Sequence, residues 1–276
     1  MLSYENLVSE FKRIGLQKND VVLVHSSFKS FGGVEGGPQA VIDSLLDVLG
    51  PEGTLITPRF NFDFSTYGTT WDIRNTPSHM GIISEFVRKD SRSFSVFHPI
   101  YSFCIIGKNA KKLAKHRYKG SYSKDSIFNQ LRVLDAKILQ IDCEYKGTTM
   151  IHHVEEMLQV DYKYFKNFTG KVIDEDGKIY EDTFNIYVRD WKRGFVTDVI
   201  PIGKILEEKN VTKINQIGNA KTWLTKAEDV YNITVDAIKK NPHVLCKIIP
   251  PTKENESLIK NYSETLKFNP NYMNSK

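Results

Sequence analysis

The sequence predicts an α/β fold, in which a mostly parallel or mixed central sheet is flanked by helices and an antiparallel β addition lies in the C-terminal third. The first observation is the run Asp20-Val-Val-Leu-Val, whose apolar, β-branched character is typical of a strand buried on both faces. The second is the order strand, loop, helix and strand from Asp20 to Thr57, which favours a parallel or mixed sheet. The third is a pair of β-type runs joined at Asp176-Gly177, which indicates a hairpin.

Apolar spacing and helix end signals predict the elements of the N-terminal part. Residues 2–14 place apolar side chains on one helical face, and Gly15 supplies a stop. A second helix begins at Pro38, whose missing N–H needs no partner in a first helical turn, and ends at Gly50-Pro51. The run Gly53-Thr-Leu-Ile-Thr predicts the next buried strand.

Residues 61–75 are aromatic and polar without a period, which predicts a long functional loop. Thr76-Pro77 then predicts the start of a helix that turns four apolar side chains inward, namely Ile82, Ile83, Phe86 and Val87. Further along the chain, strands are predicted at residues 102–106 and 137–141, with a short helix at residues 126–131 between them.

The C-terminal third has a different texture. The run KVIDEDGKIY predicts two strands and FNIYVRDW a third, so we expect an antiparallel hairpin addition over about residues 171–200. A late helix is predicted over residues 227–240. The polar residues 250–276 predict a tail that is loosely docked or mobile. We expect one domain over residues 1–276.

Composition and charge exclude several classes of protein. The three cysteines, Cys104, Cys143 and Cys246, are too few and too scattered for a disulfide framework, and none forms a CxxC pair. The net charge of +5 is spread along the chain without a basic stripe, so we expect no nucleic-acid partner. No apolar run suits a signal peptide or a membrane span. We therefore expect a cytoplasmic protein with no membrane partner.

A glycine-rich loop, FGGVEGG, follows the first predicted strand and precedes a helix. Free backbone N–H groups and the helix dipole at such a position favour a phosphate group. The loop has neither the GxGxxG pattern of a dinucleotide fold nor the GK[ST] of a P-loop. On these residues alone, a site for a phosphate-bearing cofactor and a plain tight turn are equally good interpretations.

The segment TTMIHHVEEML predicts a helix capped by Thr149, with a core stripe of Ile151, Val154 and Leu158. His152 and Glu155 would then be neighbours on an adjacent face. The positive end of the helix dipole favours a neutral imidazole, which is the form that a general base needs. The alternative is that His152 is only a hydrogen-bonded polar residue at a helix start.

A metal site is a further alternative for this segment, because His153 and Glu156 stand beside the predicted pair. Consecutive helical residues point about 100° apart, and no HExxH pattern is present. We therefore expect no metal.

A third segment, FHPIYSF, places His98 and Ser102 at the entry to a predicted strand, where they would either bind the amide arm of a cofactor or close a turn.

Four segments together resemble the aminoglycoside 3-N-acetyltransferase family, in family order: VLVHSSFKSFGGVEGGPQAVIDSLLDVLGPEGTLITPRF, NTPSHMGIISEFVRK, FHPIYSF and TMIHHVEE. The resemblance implies an antibiotic N-acetyltransferase fold, distinct from the GNAT fold, and transfer of an acetyl group from acetyl-CoA, as co-substrate, to an amine of an amino sugar. It implies that His152 is the base and Glu155 its companion carboxylate. It also implies a cofactor site formed by Ser26, Ser27, Phe28, Val34, Gly36, Gly37, His98 and Ser102.

Some positions depart from the family pattern, among them His153, the pair Ser126-Ile127 and the aromatic residues 60–71. These departures leave the small-molecule acceptor open between an aminoglycoside and a nucleotide-linked biosynthetic amino sugar. Three carboxylates are candidates for holding a cationic acceptor, namely Asp63, Asp72 and Glu156. The sequence is compatible with a homo-oligomer.

The leading mechanism is direct transfer, in which His152 removes a proton while the sugar amine attacks the thioester. Backbone N–H groups of residues 26–28 are candidates for stabilising the oxyanion. The mechanistic alternative is an acyl-cysteine on Cys104 or Cys143. Two functional alternatives are a noncatalytic CoA- or nucleotide-binding module and a metal-dependent hydrolase.

Overall fold

The computed structural model describes residues 1–249, and the predicted polar tail lies outside them. In chain order, the helices are α1 (Tyr4–Ile14), α2 (Gly37–Leu49), α3 (Asp63–Tyr67), α4 (Ile82–Lys89), α5 (Ala110–Ala114), α6 (Ile127–Val133), α7 (Met150–Leu158), α8 (Ile200–Glu208) and α9 (Ala227–Lys240). The strands are β1 (Val21–Ser26), β2 (Thr54–Phe60), β3 (Trp71–Asp72), β4 (Phe94–Ser95), β5 (Tyr101–Gly107), β6 (Lys137–Ile141), β7 (Lys163–Ile173), β8 (Ile179–Arg189), β9 (Phe195–Thr197), β10 (Thr212–Ile217), β11 (Ala220–Lys226) and β12 (Cys246–Ile248).

The central sheet of the described residues has seven strands in the order β10-β11-β6-β1-β2-β5-β4. Strand β1 pairs in parallel with both β2 and β6, whereas the outer pairs are antiparallel. The predicted α/β class and mixed sheet are confirmed, with parallel pairing confined to the centre. The apolar run of β1 is buried because its residues serve two cores in alternation: Val22 and Val24 pack on the side of α1 and α2, and Val21 and Leu23 pack on the other side.

The antiparallel addition is confirmed, although its strands are longer than predicted. Strands β7 and β8 pair over their full lengths, and the turn at Asp176-Gly177 is as expected, with Gly177 at φ +85°. The predicted third strand at FNIYVRDW is wrong, because these residues continue β8. The polar residues 181–183 do not interrupt the strand; Thr183 pairs its hydroxyl with that of Thr169 across it at 2.8 Å. The third strand of this sheet is β3.

Two predictions in residues 61–89 are wrong. The expected aperiodic loop contains α3 and β3, and it is fixed by Arg59, whose guanidinium donates to the Ile73 and Thr76 carbonyls, each at 2.6 Å. The helix expected from Thr76-Pro77 begins only at Ile82, and residues 76–81 form an irregular segment in which the Ser78 N–H donates to the Glu85 Oε2 atom at 3.0 Å. Of its four predicted inward side chains, Ile83 and Val87 are buried, but Ile82 and Phe86 are 41% and 36% exposed.

The predicted helices of residues 2–14, 38–49, 126–131 and 227–240 are confirmed within two residues at each end. A second antiparallel hairpin, β10–β11, extends the central sheet beyond β6 and was not predicted. Among residues 1–249, no helix combines the length and apolar character that a membrane crossing requires.

Candidate active site

The segments that the sequence singles out meet at one edge of the central sheet. Parallel strands place their carboxyl ends together, so the loops after β1 and β6 leave the sheet side by side. Gly147 lies against the end of β1, because a Cβ atom built on it would be 3.1 Å from the Cβ atom of His25. Helix α7 begins three residues later, and it brings His152 to the same edge.

His152 and Glu155 form a hydrogen-bonded pair on α7. The Nδ1 atom of His152 is 2.6 Å from the Oε2 atom of Glu155, and the Glu155 side chain is fully buried. An ionised carboxylate only accepts hydrogen bonds, so Nδ1 carries the proton and Nε2 keeps a free electron pair. The His152 side chain is 22% exposed. This arrangement is one in which Nε2 can accept a proton from a bound molecule.

The charge states of the pair follow from its surroundings. Burial lowers the pKa of His152 to about 4; Lys163 lowers it as well, and Glu155 opposes both. Although burial by itself would raise the pKa of Glu155, Lys163 and His152 lower it to about 2. At neutral pH the imidazole is therefore neutral and the carboxylate ionised, as a general base and its companion require.

The helix start differs from the prediction. The side chain of Thr149 does not cap α7, since its hydroxyl donates to the Gly147 carbonyl at 3.4 Å. Ile151 and Val154 are buried as expected, whereas Leu158 is only half-buried. Burial and Lys163 thus favour the neutral state of His152, for which the sequence had indicated only the positive end of the helix dipole.

Two residues of this site, Lys163 and Tyr162, are not predictable from local sequence patterns. Lys163 contacts the Glu155 Oε2 atom, with its Nζ atom also 3.0 Å from His152 Nδ1, and its side chain is 2% exposed. Tyr162 donates from its hydroxyl to the Glu155 Oε1 atom at 2.8 Å. The chain reverses at Gln159, which has left-handed backbone angles, and this reversal returns β7 to α7. Residue spacing along the sequence does not predict the contact of β7 residues with Glu155.

His152 opens onto a cavity of about 470 Å3, which we call the His152 cavity. The loop after β6, β2 and its following loop, and the β7–β8 hairpin form its walls. Its aromatic lining residues are Phe60, Phe62, Tyr101, Tyr164, Phe168 and Trp191. Its basic lining residues, besides His152, are Lys146, Lys166 and Arg189. No carboxylate lines this cavity among the described residues.

The glycine-rich loop lies outside the lining of the His152 cavity but beside the same sheet edge. The Ser27 and Ser30 hydroxyls are 2.8 Å apart, and Phe28 begins a short 3-10 helix. Gly36, at φ +76°, precedes α2, whose N-terminus has no side-chain cap, and a Cβ atom on Gly37 would meet nothing within 4 Å. The open helix start suits an anion.

The geometry of this loop bears on two predicted roles, that of Val34 in cofactor binding and that of the Ser27 N–H in stabilising an oxyanion. Val34 is only 9% exposed and packs in the core beside α2, so its side chain supports the loop. The Ser27 N–H donates to the Ile141 carbonyl at 2.9 Å. It is therefore not free to stabilise an oxyanion, and that part of the prediction is wrong.

The predicted cofactor ligands His98 and Ser102 are buried, with exposures of 1% and 0%. The His98 Nδ1 atom accepts from the backbone N–H groups of Ile100 and Tyr101 at 3.2 and 3.0 Å. Ser102 donates from its hydroxyl to the Val96 carbonyl at 2.6 Å. Both side chains thus close the turn that leads into β5. In this structure they support the cavity wall at Tyr101 and are not open to a ligand.

The three carboxylates predicted to hold an acceptor do not line the His152 cavity. Asp72 is bound to Arg74 and Asn75, with its Oδ1 atom 3.2 Å from Arg74 Nε and its Oδ2 atom 2.8 Å from Asn75 Nδ2. Asp63 faces His79 Nε2 at 3.6 Å. Glu156 is 5% exposed, and burial raises its pKa to about 7. The structure does not bring these three groups together.

The cysteines of the mechanistic alternative are poor nucleophiles in this fold. Cys104 is fully buried in β5, and burial raises the pKa of its thiol. Cys143 lies just after β6, and burial raises the pKa of its thiol to about 12. Reactive cysteines need a lowered pKa and access to substrate.

Within residues 1–249, no group of three or more His, Cys, Asp or Glu side chains is placed to hold a metal ion.

Comparison with known proteins connects this geometry to one family. The family described as aminoglycoside 3-N-acetyltransferase matches residues 23–239. A similar curated protein is the SPbeta prophage-derived aminoglycoside N(3')-acetyltransferase-like protein YokD of Bacillus subtilis strain 168, which is 26% identical over 242 residues, covering 80% of this chain and 86% of that protein.

Solved structures show the same fold. The crystal structure of aminoglycoside acetyltransferase AAC(3)-Xa aligns with a TM-score of 0.77 at 22% identity, covering 87% of this chain and 93% of that one. The structure of AAC-IIIb in a binary complex with CoASH aligns with a TM-score of 0.75 at 18% identity, covering 91% and 98%. The predicted family resemblance is confirmed, and its span extends well past the end of α7.

Proposed function

Because the chain belongs to the aminoglycoside 3-N-acetyltransferase family, and is thus an acyltransferase, we propose that it acetylates an amine of an amino sugar with acetyl-CoA by direct transfer. The observation that carries this proposal is the His152–Glu155 pair, in which a neutral imidazole, oriented by a buried carboxylate, opens onto a cavity of about 470 Å3. Binding alone needs no such base, so the pair favours an enzyme over a noncatalytic module.

Acetyl-CoA would supply the acetyl group as an activated thioester. The residues that fit its phosphates and arm are Ser26, Ser27, Phe28, Gly36 and Gly37, because the uncapped start of α2 offers backbone N–H groups beside open space. Val34, His98 and Ser102 would act indirectly, by supporting this loop and the turn before β5. The solved relative AAC-IIIb in complex with CoASH supports the choice of cofactor.

In this mechanism His152 Nε2 accepts the proton that the amine loses as its nitrogen bonds to the acetyl carbon. The carbon–sulfur bond breaks, and the imidazolium of His152 gives that proton to the departing sulfur, which leaves as the CoA thiol. Glu155 stabilises the imidazolium that forms, because its carboxylate is already ionised and in contact. Lys163 and Tyr162 hold that carboxylate in place. Cys104 and Cys143 take no part.

The acceptor amine has two candidate sources, an aminoglycoside, as the family description suggests, or a nucleotide-linked amino sugar. Both are small molecules. The cytoplasmic location and the single-domain organisation stay predictions from the sequence.

The direct test is a thiol-release assay with acetyl-CoA and a panel of amino sugars of both kinds. We expect CoA release only when an amine acceptor is present. Tight CoA binding without release under any acceptor would favour the noncatalytic module instead. Release that disappears after chelation and returns with a divalent metal would favour the metal-dependent hydrolase.

A further inference from the structure

The His152 cavity has a charge that an aminoglycoside would not match. Lys146, Lys166 and Arg189 line it, and none of the described lining residues is acidic. An aminoglycoside carries several ammonium groups at neutral pH, so a site for it needs carboxylates or neutral acceptors. Like charges placed together weaken binding. The lining therefore selects against a polycationic acceptor.

The two lysines are available to a ligand. Lys146 lies in the turn after β6 and Lys166 on β7, so they reach the cavity from two different walls. Both are exposed, and in the part of the chain that the structure describes neither forms an ion pair. Lys166 has its Nζ atom 4.9 Å from the centre of the Phe168 ring, which places the charge beside an aromatic wall.

Arg189 adds a fixed positive charge to the same wall. Its NH1 group donates to the Thr197 hydroxyl at 2.6 Å, and its guanidinium lies 4.4 Å from the Trp191 ring centre. Arg189 is also paired with Lys163 across β7 and β8, so it stands on the His152 side of the hairpin. Planar guanidinium groups held in this way are typical of phosphate recognition.

The aromatic lining provides the second part of the argument. Tyr164 is 48% exposed on the cavity wall, and Phe62, Phe168 and Trp191 are further aromatic lining residues. Exposed aromatic rings in a cavity offer faces on which a flat heterocycle can stack. A nucleobase is a flat heterocycle of this kind.

We propose that the acceptor of this enzyme is an amino sugar carried on a nucleoside diphosphate, with its phosphates against Lys146, Lys166 and Arg189 and its base on the aromatic wall. This inference rests on the proposed acetyltransferase function and names the acceptor class. The amine would then face His152 at the inner end of the cavity.

The test compares acceptors and a charge reversal. Thiol release from acetyl-CoA is measured with a nucleoside-diphosphate amino sugar and with an aminoglycoside, for the wild-type protein, for Lys166→Glu and for Lys171→Glu. Lys171 is the matched control, because it is exposed on the same strand but outside the cavity lining. We expect a higher kcat/KM for the nucleotide sugar than for the aminoglycoside. Lys166→Glu should raise the KM for the nucleotide sugar by about tenfold or more. The KM for acetyl-CoA should stay unchanged, as should both constants in Lys171→Glu.

Each other outcome counts against a stated part of the account. Preference for the aminoglycoside overturns the anionic acceptor but leaves the acetyltransferase function standing. A higher KM for acetyl-CoA with an unchanged acceptor KM in Lys166→Glu means that these cations hold the cofactor, and it also overturns the inference. Release with neither acceptor class contradicts the proposed function itself.

Discussion

The Nζ atom of Lys163 lies 3.0 Å from the Nδ1 atom of His152, and both groups contact the same oxygen atom of Glu155. The lysine is buried with the carboxylate, so it compensates a charge that would otherwise be costly inside the protein. Its positive charge also opposes protonation of the neighbouring imidazole. We interpret Lys163 as a positioning residue that keeps the base neutral and its companion ionised.

Replacing Lys163 with methionine is expected to raise the pKa of His152. The lysine lowers that pKa, so its removal leaves only burial and the charge of Arg189 to lower the pKa against the opposing effect of Glu155. NMR titration of ring-labelled histidine measures the change, with the His152 resonance assigned from its absence in His152→Gln. Lys163→Arg, which retains a positive charge, serves as the control and should keep the low value. An unchanged or lower pKa in Lys163→Met would contradict the role assigned to the lysine.

Replacing Glu155 with glutamine is expected to lower the free energy of unfolding by about 3–5 kcal/mol, because the Lys163 charge then stays buried without its partner. The double variant Glu155→Gln with Lys163→Met should recover part of this loss, since neither charge is then buried. Denaturant unfolding of the three proteins at pH 7 gives the comparison. A loss below about 1 kcal/mol in the single variant would mean that the pair is not a buried ion pair in solution.

Lowering the pH should begin to destabilise the fold near pH 6.5, which is well above the pH range in which carboxylates titrate. Burial lowers the pKa of His25 to about 4 and that of His98 to about 3, with Lys119 adding to the effect at His98. The unfolded chain therefore binds protons at these positions near pH 6.5, before the folded chain does. Stability present above pH 6.5 is lost as the pH falls towards 4, by about 3 kcal/mol for each histidine.

Denaturant unfolding at several pH values tests this in the wild type and in His98→Asn. The asparagine side chain offers an oxygen atom where His98 Nδ1 accepts its two backbone hydrogen bonds, but it does not titrate. We expect a shallower loss of stability between pH 6.5 and 4 in the variant. Equal slopes in the two proteins would show that His98 is not held neutral by burial.

Substituting the cysteines should leave turnover intact. In a direct transfer no thiol of the protein bonds to the acetyl group, and neither Cys104 nor Cys143 lines the His152 cavity. Steady-state rates for Cys104→Ala and Cys143→Ala are expected within about twofold of the wild type, after correction for the folded fraction, because the chemistry uses neither residue. Trapping of acetyl-protein with acetyl-CoA alone, lost in one of these variants, would favour the acyl-cysteine route.

The elements that local patterns encode were predictable. The buried run of β1, the helix from Pro38 and the Asp176-Gly177 turn all carry signals within a few residues, and the structure contains each of them. The neighbours His152 and Glu155 were also predictable, because three residues in a helix place two side chains on one face.

Other features depend on distant parts of the chain. Arg59 orders residues 71–76 through hydrogen bonds that span 13 to 17 positions, so the segment lacks a local pattern of its own. Lys163 reaches Glu155 only because the chain reverses after α7. The positive charge of the His152 cavity comes from the turn after β6 and from the β7–β8 hairpin, which are separate in sequence. His98 and Ser102 are buried by the packing of the folded chain, which their local sequence does not show.

The most direct test of the central claim is the turnover of His152→Ala, measured together with its affinity for acetyl-CoA. Loss of the general base should reduce turnover by about 10²–10⁴-fold and leave acetyl-CoA affinity unchanged, because the cofactor loop does not include His152. His116→Ala, an exposed histidine outside the cavity, is the matched control and should behave as the wild type. Turnover of His152→Ala within about tenfold of the wild type would contradict the assignment of His152 as the base.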